Sequence, residues 1–384
     1  MEVVVLGGAG VIGSFAVDWL NKIDVFSKIV IADINEKKAK EIMKKSDKFS
    51  FKKIDATDEK SIMNVLKGAK VAVNCVGPFY KFASKILDAS IKSGVDYVDI
   101  CDDYDATIKL LDNYHKKAKD AGVTCIVGLG ASPGLTNLIA AFAASQLTSV
   151  DSIKVYVTRS IEEESGGAIP YHMLHCWLGK IPIFRNGKFE KARGLVDGEE
   201  YAHFPKPFGQ SAVYYFGHPE TVTLPRYIKG VKNVCCKGSF WPAEFRNTLL
   251  QVESLGLLSE KPINAAGQKI TPLDFIAGYI DTIRKKIIQQ SGKIPSGGSV
   301  MVEVAGSDED GPRTIKYSGT SHMRQGTATP AAVGAKMIAE GDIKKPGVYA
   351  PEGCIPVEDF IMQFLEMEGF GDVWLTFTQR MEGL

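Results

Sequence analysis

The chain has 384 residues, 45% of them hydrophobic and 24% charged, with a formal net charge of +1. That balance excludes a disordered chain, and without a basic block it offers the phosphates of a nucleic acid little to bind. Seven scattered cysteines with no Cys-x-x-Cys pair exclude a disulfide framework and lead us to expect a reducing, cytoplasmic setting. The first residue leads directly into a strand-like run, so no signal peptide is expected. The apolar run from Leu138 to Ser145 is too short to cross a bilayer, so no membrane partner is expected either. At this length two domains are expected.

The first third alternates short apolar runs with helical periods. Strands are expected at Glu2–Leu6, Lys28–Ala32, Phe51–Asp55, Val71–Cys75, Tyr97–Ile100 and Thr124–Val127. Helices are expected at Val11–Leu20, Glu36–Lys45, Glu59–Leu66, Ala83–Ser93, Thr107–Ala121 and Leu135–Gln146. Buried strands joined by helices make a doubly wound parallel α/β sheet of Rossmann type. Beyond residue 150 the pattern changes to an α+β domain with a mostly antiparallel sheet. Ser152–Thr158 reads as a strand, and Glu244–Leu255 and Pro272–Gln289 as helices, the second capped by Thr271. Ser299–Gly306 and Arg313–Ser318 read as a hairpin around Asp310-Gly311. Helical periods return at Ala328–Ile338 and Val357–Met367.

The chemistry begins at Gly8-Ala9-Gly10-Val11-Ile12-Gly13, directly after the first strand, with Asp33 twenty residues beyond Gly13. Gly8 is expected to make the turn, Gly10 to let backbone approach a diphosphate, and Gly13 to let the helix pack on the sheet. The amides of Val11 and Ile12 then face the phosphates at a helix N-terminus. Asp33 is placed to accept the ribose hydroxyls and to repel a 2′-phosphate, which favours NAD and does not exclude NADP. Asp55 is placed either near the adenine or as a helix cap.

Val76 and Gly77, in the loop after the fourth strand, are expected beside the nicotinamide ribose, with Tyr80 reaching the substrate or packing on the loop. Asp99, Asp102, Asp103 and Asp105 follow the fifth strand. Asp102 is the candidate to bind a cationic amine or act as a base, and most of the group is read as a solvated acidic loop. Ser132 and Pro133 read as the cap and first turn of a further helix facing the cofactor. His172 is a candidate proton carrier. The spacing of His172 and His175 is the sole metal-like signal, and without further ligands no metal is expected. Arg226, Arg246 and Arg324 are candidate partners for a substrate carboxylate. No tyrosine has a lysine four residues later, which removes the short-chain dehydrogenase mechanism.

Several ordered segments resemble the saccharopine dehydrogenase family, in particular its short members. They are Asn74–Phe82, Gly94–Asp99, Pro133–Asn137, Phe184–Lys188, Gly326–Ala332 with Gly334, and Gly347–Glu352. The resemblance implies a cofactor domain over 1–130 completed by C-terminal helices within 326–384, and a substrate and dimerisation domain over 131–325. It also implies a homodimer and an amino-acid substrate, lysine- or saccharopine-like, bearing an amine beside the transferred hydride. A polyamine-precursor reductase of the carboxynorspermidine type is an alternative. Two departures stand out. Asp33-Ile34 lies where saccharopine reductases often carry Arg, and Ser132 lies where many carry Asp before Pro-Gly. The expected chemistry is hydride transfer between the substrate carbon and a nicotinamide, through an imine, with Asp102 or His172 moving a proton. A dinucleotide sensor without turnover is the rival reading.

Overall fold

The computed structural model describes residues 1–163, 167–368 and 378–383. Two compact units emerge: Met1–Phe142 with a return from Met323, and Ala143–His322 with the last described strand.

The first unit opens with β1 (Glu2–Leu6), α1 (Val11–Asn21), β2 (Lys28–Asp33), α2 (Glu36–Met43), β3 (Phe49–Lys53) and α3 (Glu59–Leu66). It continues with β4 (Val71–Asn74), α4 (Phe79–Lys92), β5 (Asp96–Asp99), α5 (Tyr104–Asp120), β6 (Thr124–Ile126) and α6 (Leu135–Ser145). The second unit holds β7 (Ser149–Ser160), α7 (Ile169–Cys176), β8 (Lys180–Arg185), β9 (Lys188–Arg193), β10 (Glu200–Phe204), β11 (Gly209–Tyr215) and α8 (Pro219–Tyr227). There follow β12 (Asn233–Trp241), α9 (Glu244–Ser254), β13 (Ile263–Ala265), β14 (Gln268–Ile270), α10 (Pro272–Ser291), β15 (Gly298–Asp308) and β16 (Gly311–Ser321). The chain ends with α11 (Met323–Glu340), β17 (Gly347–Tyr349), α12 (Val357–Glu368) and β18 (Thr378–Gly383).

Among the described residues the first sheet has the order β17-β6-β5-β4-β1-β2-β3, and its pairs are parallel. Val3, Val4, Val5 and Leu6 are wholly buried, as a strand with helices on both faces requires. The order reverses between β1 and β4, the place where open parallel sheets hold their ligands. The seventh strand, β17, was not expected. Three residues carry too short a pattern to read alone, and β17 exists because β6 offers it a free edge.

The second sheet runs β10-β11-β12-β7-β15-β16-β18, with β8 attached to β12 and β9 to β8. It is antiparallel except for β12 beside β7. Tyr156, Ala202, Phe204, Phe208, Val213 and Met301 form a core cluster on it. Thr271 caps α10 as expected, accepting from Asp274 N at 2.9 Å.

The unit boundaries differ from the expected ones. The first turns of α6 belong with the first unit, where Asn137 Nδ2 donates to Glu352 Oε1 at 3.0 Å. β18, expected with the cofactor domain, pairs instead with β16 of the second unit. Residues 369–377 and 384, which fall in the expected C-terminal return, lie outside the described residues.

Candidate functional site

The glycine turn forms, with one glycine reassigned. Positive φ (75°) falls on Gly7, not Gly8, so Gly7 makes the turn. Its amide bonds Ala32 O at 2.8 Å, and a Cβ there would lie 3.0 Å from Cys75 O. The turn is thereby clamped between β2 and β4. Gly13 does what its position predicts: a Cβ would overlap the Gly7 carbonyl oxygen and reach within 2.9 Å of Gly8 Cα. Gly10 is the N-cap of α1, with no side-chain cap and no acidic residue in the first turn. The first amides of a helix have no acceptor within it, so those of Val11 and Ile12 present an anion-binding end. A side chain at Gly13 would fill the cradle and no side chain competes for its amides. These residues fit a dinucleotide diphosphate.

Asp33 ends β2 and is 8% exposed. Its Oδ2 accepts from Ala9 N at 2.9 Å and its Oδ1 from Asn35 N at 2.8 Å. The carboxylate thus braces the glycine turn, and each oxygen keeps a second acceptor position. Asp55 is not the helix cap, because Asp58 caps α3 by accepting from Lys60 N. Asp55 is exposed and accepts from Thr57 N at 2.8 Å and Thr57 Oγ1 at 2.6 Å. Those two bonds hold its carboxyl below the usual range.

A buried polar network ties together the carboxyl ends of β4, β5 and β6. Asn74 Nδ2 donates to Tyr97 Oη at 2.8 Å, and Tyr97 Oη donates to Asp99 Oδ2 at 2.8 Å. Asp99 Oδ1 accepts from Cys101 N at 3.0 Å and Gly128 N at 2.7 Å. Asn74 Oδ1 in turn accepts from Val76 N at 3.0 Å, which shapes the loop through Gly77. Asn74, Tyr97 and Asp99 are wholly buried. Burial pushes the Asp99 carboxyl up to about 6 against the three bonds that favour its charge.

The acidic loop is therefore less solvated than expected. Asp103 is also wholly buried, and its Oδ2 accepts from Tyr80 N at 2.9 Å. Asp102 is half-buried and Asp105 exposed. The loop folds inward because two of its carboxylates staple backbone amides whose burial otherwise carries a desolvation cost. Tyr80 is in the first turn of α4, which begins at Phe79 behind Pro78, and so is not on a loop. Val76, Gly77, Tyr80, Asp99, Asp102 and Asp103 thus gather where β4 and β5 end.

Ser132 does not cap α6. That helix starts at Leu135, after a tight loop in which Gly130 N bonds Pro133 O at 2.8 Å. Gly134 (φ 121°) passes so close to Gly130 that no side chain fits, and Asn137 Oδ1 accepts from Gly134 N at 2.9 Å. Pro133 is buried, and a Cβ on Gly128 would lie 3.0 Å from its ring.

The three candidate arginines fall in different elements. Arg324 is in the first unit, 5.1 Å over the Phe15 ring. Arg226, on α8, bonds Val222 O at 3.3 Å. Arg246, on α9, bonds Leu195 O at 2.8 Å and stacks 3.7 Å over Tyr214. His172 is buried on α7 and His175 half-buried.

Sequence reasoning missed His218, Glu220 and Cys236 of the second unit, whose donor atoms lie within 4.8 Å of one another. His218 Nδ1 is 2.6 Å from Glu220 Oε2. That spacing is a hydrogen bond; two ligands sharing a tetrahedral zinc stand about 3.3 Å apart. The only hint in the sequence was the helix-starting run His218-Pro219-Glu220. Among the described residues no helix is long and apolar enough to cross a membrane.

Residues 3–126 match the saccharopine dehydrogenase NADP binding domain, and residues 130–370 match the saccharopine dehydrogenase C-terminal domain. Carboxyaminopropylagmatine dehydrogenase of Synechocystis is 23% identical over 96% of this chain and 96% of its own. Carboxynorspermidine synthase of Vibrio cholerae is 23% identical over 93% of each chain. The solved structure of apo saccharopine dehydrogenase (L-Glu forming) from Saccharomyces cerevisiae shares the fold, with a TM-score of 0.67 at 16% identity and 99% coverage of both chains. The cradle at β1 and the two domain matches agree: this chain belongs to the saccharopine dehydrogenase family, as an oxidoreductase with an NAD(P)-binding domain.

Proposed function

We propose that the chain oxidises or forms the CH–NH bond of a substrate carrying both an amine and a carboxylate, of the carboxyaminopropyl-amine type, in preference to free lysine. The glycine cradle between β1 and β4 carries the redox half of this reading. The substrate half is supported by end-to-end similarity to enzymes named for carboxyaminopropylagmatine and carboxynorspermidine. Saccharopine and lysine are the competing substrates.

In this reading the dinucleotide, when bound, supplies the hydride donor or acceptor. The chain's own residues do the rest. The amides of Val11 and Ile12 hold the diphosphate. Asp33 receives the ribose hydroxyls and sets a preference for NAD, since a 2′-phosphate would meet its carboxylate. Val76 and Gly77, shaped by Asn74, border the nicotinamide ribose. Tyr80 and Asp102 stand at the substrate side of the same strand ends. Arg226, Arg246 and Arg324 are the candidate donors for the substrate carboxylate, any one of which could serve. Orienting the amine carbon within about 3–3.5 Å of its reaction partner supplies much of the rate. A homodimer in the cytoplasm completes the proposal.

The test is an absorbance screen at 340 nm with NAD and NADP against carboxyaminopropylagmatine, carboxynorspermidine, saccharopine and lysine. Turnover of a carboxyaminopropyl amine with NAD at the highest kcat/KM is the expected result. Turnover confined to lysine or saccharopine overturns the substrate assignment. Binding of dinucleotide without turnover of any amine replaces the enzyme by a sensor.

A further inference from the structure

The buried network at the carboxyl ends of β4, β5 and β6 admits one ordering of its protons. Val76 N can only donate, so the Asn74 atom that faces it at 3.0 Å is the carbonyl oxygen, and the Asn74 Nδ2 group faces Tyr97. Tyr97 Oη accepts from that amide, and its own proton turns to Asp99 Oδ2 at 2.8 Å. Asp99 Oδ1 is already met by the amides of Cys101 and Gly128, at 3.0 and 2.7 Å. Every donor in the relay points toward Asp99, and the set is complete with Asp99 as a carboxylate.

A proton on Asp99 conflicts with that order. On Oδ1 it meets two N–H donors. Oδ2 has Tyr97 as its partner among the described residues, so a proton there is given to Tyr97 Oη. The tyrosine proton must then turn toward Asn74, whose amide receives it only by rotating half a turn. Nδ2 now confronts Val76 N, donor against donor, and the bond that shapes the loop is lost. One proton is gained from solvent; no other covalent bond changes and no electrons move.

The far end of the relay lies on the dinucleotide cradle. A Cβ on Gly7 would stand 3.0 Å from Cys75 O and 3.2 Å from Val76 Cγ2, so the loop that Asn74 holds is one wall of the glycine turn. All of these residues belong to the first unit.

We propose that dinucleotide binding is linked to a proton through this relay, with Asn74 positioning the Val76–Gly77 loop and Asp99 setting the orientation of the Asn74 amide. The inference rests on the cofactor half of the reading above and adds the regulation of that site. With Asp99 ionised the loop is held for the nicotinamide ribose. With Asp99 neutral it is released. A ligand that selects the held form therefore expels the proton.

The surroundings bring the change close to neutral pH. Burial raises the Asp99 carboxyl to about 6, and the charge of Asp102 acts in the same direction. The thiol of Cys75, beyond β4, is pushed up to about 12 by burial, and burial holds Cys101, Cys125 and Tyr97 well above their usual ranges, so all four stay neutral. Asp103 accepts from Tyr80 N, and Asp96, at the other end of β5, pairs with Lys70. From α11, which packs on β4 and β5, come wholly buried Ala328, Ala331, Ala332 and Val333. On α4, which packs on β5, Lys81 is exposed, Lys85 reaches Thr57 O, and Asp88 pairs with Lys92 and Lys117.

The experiment is calorimetry of the intact chain with NAD between pH 5 and 8, in two buffers of different ionisation enthalpy. Wild-type affinity should be nearly constant above pH 7 and fall about tenfold from pH 7 to pH 5. About half a proton should be released per NAD bound near pH 6. Asp99→Asn keeps an oxygen for the Cys101 and Gly128 amides and turns an NH2 group to Tyr97, which copies the protonated state. Its affinity at pH 7 should be at least about tenfold below wild type, flat with pH and without proton release. Tyr97→Phe cuts the relay but leaves Asn74 on Val76, so it should lose the pH dependence while binding more tightly than Asp99→Asn. Wild-type affinity that is flat from pH 5 to 8 with no proton released overturns the proposal, and so does equal weakening by the two variants. The wild-type measurement stands even where a variant does not fold. If neither NAD nor NADP binds at any pH, the cofactor reading itself fails, which is a different result from binding without a proton.

Discussion

The carboxyl ends of β4–β6 in the first unit and the α7–α8–β12 cluster of the second bury polar groups in opposite ways. In the first unit, carboxylates mostly serve backbone: Asp99 holds Cys101 and Gly128, Asp103 holds Tyr80 and, at the end of β2, Asp33 braces Ala9, with the Asn74–Tyr97–Asp99 relay the one side-chain chain described there. The surface left for a ligand is made of amides and glycines. In the second unit, side chains serve one another: His218 with Glu220, Ser239 with Thr158, and Lys237 with Glu200 at 3.0 Å. A backbone-built site tolerates no added Cβ but is indifferent to pH. A side-chain-built site can be redesigned residue by residue, and it titrates.

The comparison breaks most visibly at Gly13. Gly13→Ala puts a methyl into the Gly7 carbonyl, and both partners are backbone, which cannot step aside. Calorimetry should show dinucleotide affinity falling by at least about 100-fold, and melting should show a loss on the order of 2–4 kcal/mol. Wild-type affinity in that variant would mean that the cradle is elsewhere.

Asp99 is the exception that sharpens the contrast, since it is a titrating group inside the backbone-built region. Its carboxyl is raised from the ordinary 3.8 to about 6, chiefly by burial. The folded chain therefore holds a proton there that the unfolded chain releases first. That contribution to stability is complete below about pH 4 and is lost as pH rises to about 6. It amounts to roughly 3 kcal/mol. Denaturant unfolding of wild type and Asp99→Asn between pH 4 and 7 should give a wild-type curve that falls relative to the variant over this window. A difference that grows with pH would reverse the assignment.

A smaller effect is expected at Asp33. Asp33→Asn keeps an acceptor for Ala9 N but removes the charge proposed to meet the ribose. NAD affinity should drop about tenfold, with NADP gaining relative to NAD. Unchanged selectivity would detach Asp33 from the ribose and leave it a brace for the turn.

In the second unit, Lys237→Met removes a lysine that is 5% exposed and paired with Glu200. Glu200 keeps Lys154 at 3.4 Å and is partly exposed, so the cost should be about 1–2 kcal/mol, below the range for breaking a wholly buried pair. Lys116→Ala breaks a pair with Asp120 on the surface and should leave the melting transition unmoved. Equal costs for the two lysines would erase the distinction between the inner network and the solvated face.

These regions also differ in how much could be read before the fold was known. Strand β1 was read to the residue, and helix α3 as well, because each carries its own local pattern: an apolar run ended by glycine, and a helical period over Glu59–Leu66, although its cap proved to be Asp58 and not Asp55. Gly13 announced its close packing on the turn through the spacing of the glycines. The misplaced turn at Gly8 shows the limit. Gly7 and Gly8 are adjacent, and only the approach of Cys75 and Val76 selects which one takes positive φ. Ser132 failed as a cap for a similar reason, since Gly134 must cross Gly130 before α6 can start.

Local pattern determined the alternation of strand and helix, the glycine turn, the acidic tip of β2 and, through the ordered segments, the family. Those features repeat at intervals of a few residues, so nearest-neighbour chemistry is enough to declare them. Tertiary structure alone decided that Asp99 and Asp103 turn inward, that β17 joins β6, that β18 leaves for the other sheet, and that Glu220 stands behind His218 with Cys236 beside it. Each of these depends on a partner distant in the chain or on which face of an element is covered. A buried polar group reveals its purpose only once the group that satisfies it has been brought within about 3 Å.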